Sequence, residues 1–238
     1  MAGKHNTGKR DEHFNFTADM IGSEILERFS KDIYNPKAII RELVSNANDS
    51  YSQLDDYLAE TGEELDVVRE VRVSVADSSV VVSDDGLGMD RPDIDKLVSI
   101  AVTDKRDMPG VRGYRGIGFW SAYTGGEQIV VETTKLGDDR LYRLTLNTKR
   151  MRELQRPDTS IGSIMNDPEC VWLESEPTSK EAHGTTVIIV AETQEGRLHP
   201  LVNDPEQMRA VLYEGCACRL PDNPTSDPQH ALYQSVSD

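Results

Sequence analysis

Residues 39–51 read IIRELVSNANDSY, a stretch whose apolar residues Ile39, Ile40, Leu43, Val44 and Tyr51 recur at the spacing of a buried helix face. Beside that face stand Glu42, Asn46 and Asp49, with no lysine or arginine among the three. At 100° per residue they fall in a stripe roughly 60° wide, on the border of the face that Leu43, Ala47, Leu54 and Leu58 define. Such a stripe is either a solvated polar face or the lining of a cavity beneath the helix, and the stretch alone allows both. Asn35-Pro36 caps the helix, with proline at the first helical position where its missing N–H is harmless. The pattern predicts that it runs to about Glu60.

Around this helix the chain of 238 residues has room for one large domain with a substantial core, and 37% of its residues are hydrophobic. A formal net charge of −16 makes a surface that repels phosphate polymers, and no basic run offsets it, so nucleic-acid binding by this segment is not supported. The three cysteines are too few for a disulfide framework, and neither a signal peptide nor a long apolar span is visible. These features predict a soluble, cytoplasmic protein. Residues 1–12 read as a flexible lead-in, 13–219 as the folded domain and 220–238, rich in proline and aspartate, as a linker toward a further domain.

Several strands are expected. FNFTADM at 14–20 alternates with period two, and Ile25, Leu26 and Phe29 suggest a short helix after it. REVRVSVADSSVVVSDDG reads as a hairpin turning at Asp77-Ser78-Ser79, QIVVETT and RLYRLTL flank KLGDD as a second hairpin, and GTTVIIVAE adds a strand. Residues 156–183 read as irregular. Helices with at least five strands imply an α/β (α+β) domain, a two-layer sandwich of a mainly antiparallel mixed sheet with helices on one face.

Three further motifs carry chemistry. SDDGLGMD at 83–90 follows an apolar strand; its glycines let backbone approach a ligand, and a carboxylate at the strand end can accept from an exocyclic amine. Such a charge-assisted bond is worth about 1.5–3 kcal/mol when buried. GVRGYRGIGFWSAYTGG at 110–126 places Gly113, Gly116 and Gly118 before a helical-looking FWSAY, and a glycine-rich turn there presents free N–H groups to phosphate. It is not a P-loop, since the lysine and serine/threonine ending is absent. HGTTVIIV opens a strand with Gly184 and Thr185, whose hydroxyl can back the aspartate through water.

Together and in this order the four pieces resemble the nucleotide-binding (Bergerat-type) fold of the GHKL superfamily, named for gyrase, the ninety-kilodalton heat-shock protein, histidine kinases and MutL. The likeness extends beyond the motifs toward the heat-shock chaperone: EHFNFTADM looks like its first strand, YNPKAIIRELVSNANDSY like its first long helix and GYRGIGFWSAY like its lid-closing glycine loop. The resemblance implies an ATP- and Mg²⁺-dependent hydrolase. Glu42 would be the general base, Asn46 the magnesium ligand and Asp49 a polar contact at the nucleotide. Asp84, rather than Asp85, would accept from adenine N6, with Gly88 and Met89 lining the pocket. Gly113, Gly116, Ile117, Gly118 and Phe119 would lie on the phosphates, and Thr185 would support Asp84 through water. On this reading Glu42, Asn46 and Asp49 lack cationic side-chain partners because a Mg²⁺–nucleotide complex completes their site. The resemblance further implies a homodimer formed through a region C-terminal to this chain, nucleotide-dependent contact of this domain and a protein client.

Two departures stand out. RPDIDKLVSIAVTDKRDMPGV is shorter than the chaperone's lid, and a phosphate-contacting basic residue would have to come from a following domain. Short lids also occur in mismatch-repair and microrchidia-type relatives, which makes a DNA-processing or defence ATPase the alternative. A histidine-kinase catalytic domain fits less well, because kinases of that type do not generally place a carboxylate four residues before the asparagine; a non-hydrolysing scaffold is disfavoured by Glu42 and Asn46. His5, His13, His183, His199 and His230 have no metal-ligand spacing. Cys216-Ala-Cys218 reads as part of a packed C-terminal helix, and Trp120 and Trp172 read as core.

Overall fold

The computed structural model describes residues 22–23, 35–76, 78–98, 119–191, 193 and 196–216. The FNFTADM strand, the helix around Leu26, the glycine loop at 110–118, Cys218 and the terminal segments lie outside them.

Helix α1 spans Pro36–Thr61, and both its ends follow from the sequence. The Asn35 side chain accepts from the Ala38 N–H at 2.9 Å, Pro36 occupies the first turn, and Gly62 closes the helix with φ 71 in the left-handed region. Its buried face carries Ile39, Ile40, Leu43, Val44, Ala47, Tyr51 and Leu54. Beneath it lies a six-stranded sheet: β1 (Val71–Ala76), β2 (Ser79–Asp84), β3 (Gln128–Thr134), β4 (Arg140–Leu146), β5 (Val171–Pro177) and β6 (Gly184–Val190). The spatial order is β1-β2-β6-β3-β4-β5, and every pairing among the described strands is antiparallel, in keeping with the mainly antiparallel sheet expected from the sequence. Two layers, sheet and helices, make an α/β sandwich.

Directly paired residues of antiparallel strands point to the same face, so the registers assemble whole rows. One row runs Val75, Val80, Ile189, Ile129, Leu146, Val171, and the next runs Val73, Val82, Val187, Val131, Leu144, Leu173. All twelve belong to or pack against the cluster that holds the buried face of α1. At about 1.5–3 kcal/mol for each fully buried branched side chain, these two rows are the main force holding helix to sheet. The third row is different: Val71, Asp84, Thr185, Thr133, Tyr142, Ser175. On one edge of the same face, the apolar stripe gives way to polar groups.

Helix α2 (Arg91–Val98) follows the aspartate motif, and α3 (Thr148–Leu154), α4 (Ile161–Met165), α5 (His199–Val202) and α6 (Pro205–Gly215) come later. The segment read as irregular in fact contains α4, N-capped by Ser160, and the edge strand β5. Val171 and Leu173 alternate inward there, a signal masked by the turn residues Asp167-Pro168 and the acidic outward positions. Trp172 takes the opposite, outward face and is half-buried, whereas Trp120 is core as expected. FWSAYT forms a 3₁₀ helix, Phe119–Thr124, buried throughout and packed on α1. The first hairpin turns more tightly than expected, because Ser79 already pairs with Ala76 and Ser78 takes φ 63. Cys216 follows α6 as its C-cap and packs partly against the core.

Tyr51 couples helix to strand end. Its hydroxyl donates to the Glu70 carbonyl at 2.7 Å and accepts from the N–H groups of Glu70 at 3.1 Å and Asp85 at 3.0 Å. Burial pushes the phenol up to about 12, so it stays a neutral donor. Tyr51→Phe leaves these three backbone groups short of a partner and is expected to cost about 1–3 kcal/mol, read as a lower midpoint in urea unfolding with an unchanged slope.

Candidate functional site

Period two decides which polar groups reach the site. Asp84 continues the inward series Val80, Val82; Thr185 continues Ile189, Val187; Thr133 continues Ile129, Val131. Of the two adjacent aspartates, Asp84 is therefore the inward one and is 6% exposed. Asp85 points the other way and ion-pairs with Arg72.

The Asp84 carboxylate sits in a cradle built by three elements. The Gly86 N–H donates to its Oδ1 at 3.0 Å, and the Ser50 hydroxyl of α1 and the Thr185 N–H of β6 lie beside it and act with Gly86 to favour its charged form. A carboxylate offers about four acceptor sites, so the Gly86 bond leaves acceptor capacity for a further donor. Burial nevertheless dominates and raises the Asp84 carboxyl to about 7, against the lowering effect of those groups. The loop after the strand is drawn tight over Ser50: the Leu87 N–H donates to the Ser50 carbonyl at 3.2 Å and the Gly88 N–H to its hydroxyl at 3.5 Å. Glycine is required twice. A Cβ on Gly86 would stand 2.4 Å from Ser50 Oγ; one on Gly88, whose φ is +74, would stand 1.8 Å from the Thr134 carbonyl oxygen. His183 Nδ1–H donates to the Gly86 carbonyl at 2.8 Å. At the other end of the loop, Lys135 Nζ lies 2.9 Å from Asp90 and 2.8 Å from Asp93 at the start of α2.

The residues expected from the sequence distribute as follows. Asp84, Gly88, Met89 and Thr185 are brought together, and Asp49 is buried on α1 immediately before Ser50. Asn46 and Glu42 are half-buried, one and two turns nearer the helix start. The reading that all three lack a cationic neighbour needs correction for Glu42, since Arg41 Nη2 lies 3.5 Å from its Oε1. That pair is half-exposed, and long side chains at the surface hold such contacts weakly. Phe119 is buried at the head of the 3₁₀ helix, edge-on to Trp120 at 5.7 Å. Gly113, Gly116, Ile117 and Gly118 lie outside the described residues. Sequence reading missed Ser50, Tyr51, Thr133 and His183. Thr133 carried a signal, a polar residue extending an apolar inward series; Ser50 carried none.

A sheet covered by α1, with a buried carboxylate at the end of an inner strand, Gly86 pressed against the helix and Gly88 against the neighbouring strand, has the features of a class of nucleotide-binding ATPase domain. The family described as histidine kinase-, DNA gyrase B-, and HSP90-like ATPase matches residues 34–185, and the chain belongs to it. Among individual relatives it is similar to the chaperone protein HtpG of Helicobacter pylori, 32% identical over 138 residues, which cover 50% of this chain and 22% of the relative. HtpG of Wolinella succinogenes is 26% identical over 191 residues, 73% of this chain and 27% of the relative. HtpG of Treponema denticola is 28% identical over 187 residues, 70% and 27% respectively. The chain thus spans about a quarter of the length of these relatives. Among the described residues no helix is long and apolar enough to cross a membrane, and no cluster of three metal-ligating side chains occurs.

The raised Asp84 carboxyl has a defined consequence for stability. Between the usual value of 3.8 and about 7 the folded protein holds a proton that the unfolded chain has released, so this group's contribution to stability falls as pH rises through that window. Asp84→Asn removes the effect. Its unfolding midpoint relative to wild type is expected to climb from pH 4 to pH 8 and then level off; a difference independent of pH would mean that the carboxyl is not desolvated.

Proposed function

We propose that this chain is the Mg²⁺-dependent ATP-binding and hydrolysing domain of a larger chaperone-like ATPase, in which nucleotide closes a lid and drives homodimerisation. The observation that carries this reading is the buried Asp84 carboxylate, which keeps acceptor capacity beyond its bond from the Gly86 N–H at the sheet end covered by α1, the helix of Glu42, Asn46 and Asp49. The similarity to HtpG chaperones supports the chaperone-like assignment, and the net charge of −16 favours it over a nucleic-acid partner for this segment.

In this mechanism Asp84 accepts from the adenine amine, Gly88 and Met89 form the wall of the base pocket, and Thr185 supports the aspartate through water. The loop Gly113, Gly116, Ile117, Gly118 leads to Phe119 and would supply backbone N–H groups to the phosphates. Asn46 is suited to magnesium: its side chain is half-buried, enters no hydrogen bond or ion pair with the described residues, and offers a hard neutral oxygen. One such oxygen suffices for an ion that keeps its waters and binds through phosphates, which agrees with the absence of a carboxylate cage among the described residues. When bound, Mg²⁺ would neutralise charge on the phosphate oxygens. Glu42, one turn before Asn46, would orient the attacking water for in-line displacement, and Asp49 would make a polar contact with the nucleotide.

Two substitutions test the base contact. Asp84→Asn loses the charge assistance and sets an NH₂ toward adenine's NH₂, which is expected to lower ATP affinity by up to about two decades in calorimetry. Asp85→Asn, which faces Arg72 instead, should have a much smaller effect; equal effects would show that the site is misread.

Glu42→Ala tests hydrolysis. In the intact protein it is expected to keep ATP affinity within a few-fold while phosphate release falls about 10²–10⁴-fold. Equal turnover in wild type and variant would leave nucleotide binding without a catalytic role for Glu42.

A further inference from the structure

Thr133 lies at the centre of a hydrogen-bond knot beside the base-binding aspartate. It is 1% exposed, and its Oγ stands 2.9 Å from the Met89 nitrogen, 3.0 Å from the Gly184 carbonyl oxygen and 3.0 Å from Thr185 Oγ. A hydroxyl has one proton and two acceptor lone pairs. The Met89 N–H can only donate and the Gly184 carbonyl can only accept. If Thr133 gives its proton to Gly184, it takes one proton from Met89 and has one lone pair left, which the Thr185 hydroxyl fills by donating. All three contacts are then hydrogen bonds. With the opposite polarity, Thr133 donating to Thr185, two buried oxygens would face each other at 3.0 Å with no proton between them.

The first arrangement spends the Thr185 proton on Thr133. Thr185 stands between Thr133 and Asp84 on the same face of the sheet and is the only one of these three that is not fully buried. Its remaining lone pairs are then all that it offers beside the Asp84 carboxylate. We propose that Thr133 is a specificity-determining positioning residue: held between Met89 and Gly184, it turns the Thr185 proton away from the ligand, so that the 6-position of the base meets acceptors only. Such a wall favours a purine with a 6-amino group and disfavours one with a 6-oxo group, because two acceptors cannot share a proton that neither carries. This rests on the ATP-binding reading, and it adds a residue that does not itself touch the base.

The test compares ATP with inosine triphosphate, which differs at the 6-position of the base and at N1, by calorimetry of the intact protein with Mg²⁺ at pH 8. Thr133→Val keeps the shape and removes the hydroxyl. It is expected to lower the ATP-over-inosine triphosphate affinity ratio about tenfold. Thr133→Ser restores a hydroxyl and should restore the ratio. Thr133→Ala, also without the hydroxyl, is measured alongside so that the comparison does not hang on the folding of one variant, with thermal melting as the check. A merely structural role for Thr133 would weaken both nucleotides together, and an unchanged ratio in the valine and alanine variants overturns the proposal. Failure of the ATP-binding reading would look different: wild-type protein would bind neither nucleotide, or Asp84→Asn would bind ATP as well as wild type does.

Discussion

The structure is organised around the cost of burying one carboxylate. Asp84 sits where an apolar strand series runs out, and leaving it without partners there would be expensive. The fold answers with a bond from the Gly86 N–H in the loop and with polar groups set beside the carboxylate from two other places, Ser50 on α1 and the Thr185 N–H on β6. Each of these is possible only because another part of the chain is correctly placed. Ser50 reaches the strand end because Ile39, Ile40, Leu43 and Ala47 seat α1 on the sheet, and Gly86 can press against Ser50 because it has no Cβ. Thr185 is in register because β6 is wedged between β2 and β3.

Even with these groups beside it, burial leaves the carboxyl raised to about 7. Stability and function pull in opposite directions at this position. Groups whose burial costs stability tend to be kept where a ligand uses them, and the neighbouring aspartate shows the contrast, since Asp85 faces outward and finds Arg72. The same division appears along the third row of the sheet, where polar side chains replace the valines, isoleucines and leucines of the other two.

Much of this could be read from residues in a line. Asn35-Pro36 marks the start of α1, runs rich in β-branched and apolar residues bounded by turn signals mark β1, β2, β3, β4 and β6, and the order of the four motifs points to the family to which the chain belongs. The preference for Asp84 over Asp85 comes from the resemblance, because the run Val80, Val81, Val82 leaves the parity of β2 open; the strand pairing turns Asp84 inward. The reading failed where local signals conflict. The acidic outward residues of β5 and the Asp167-Pro168 turn hide that strand, and the size of Trp172 suggests core although size alone does not tell which face of a strand a residue occupies.

What only the tertiary structure decided is which polar groups meet. Ser50 and Gly88 are 38 positions apart, Met89 and Thr133 44, and Thr133 and Thr185 52, distances over which no periodicity speaks. Strand order β2-β6-β3 sets Thr185 between Asp84 and Thr133, and nothing in the three strands taken separately requires that order. The Arg41–Glu42 contact likewise depends on where two flexible side chains turn after the helix is docked. The sequence by itself determined α1, five of the six strands and the chemical types at the site, because these depend on backbone preference and side-chain type. The partnerships of Asp84, Thr133 and Tyr51 came from packing, because a hydrogen bond needs its two atoms brought within about 3 Å, and only the closed sheet with α1 upon it does that.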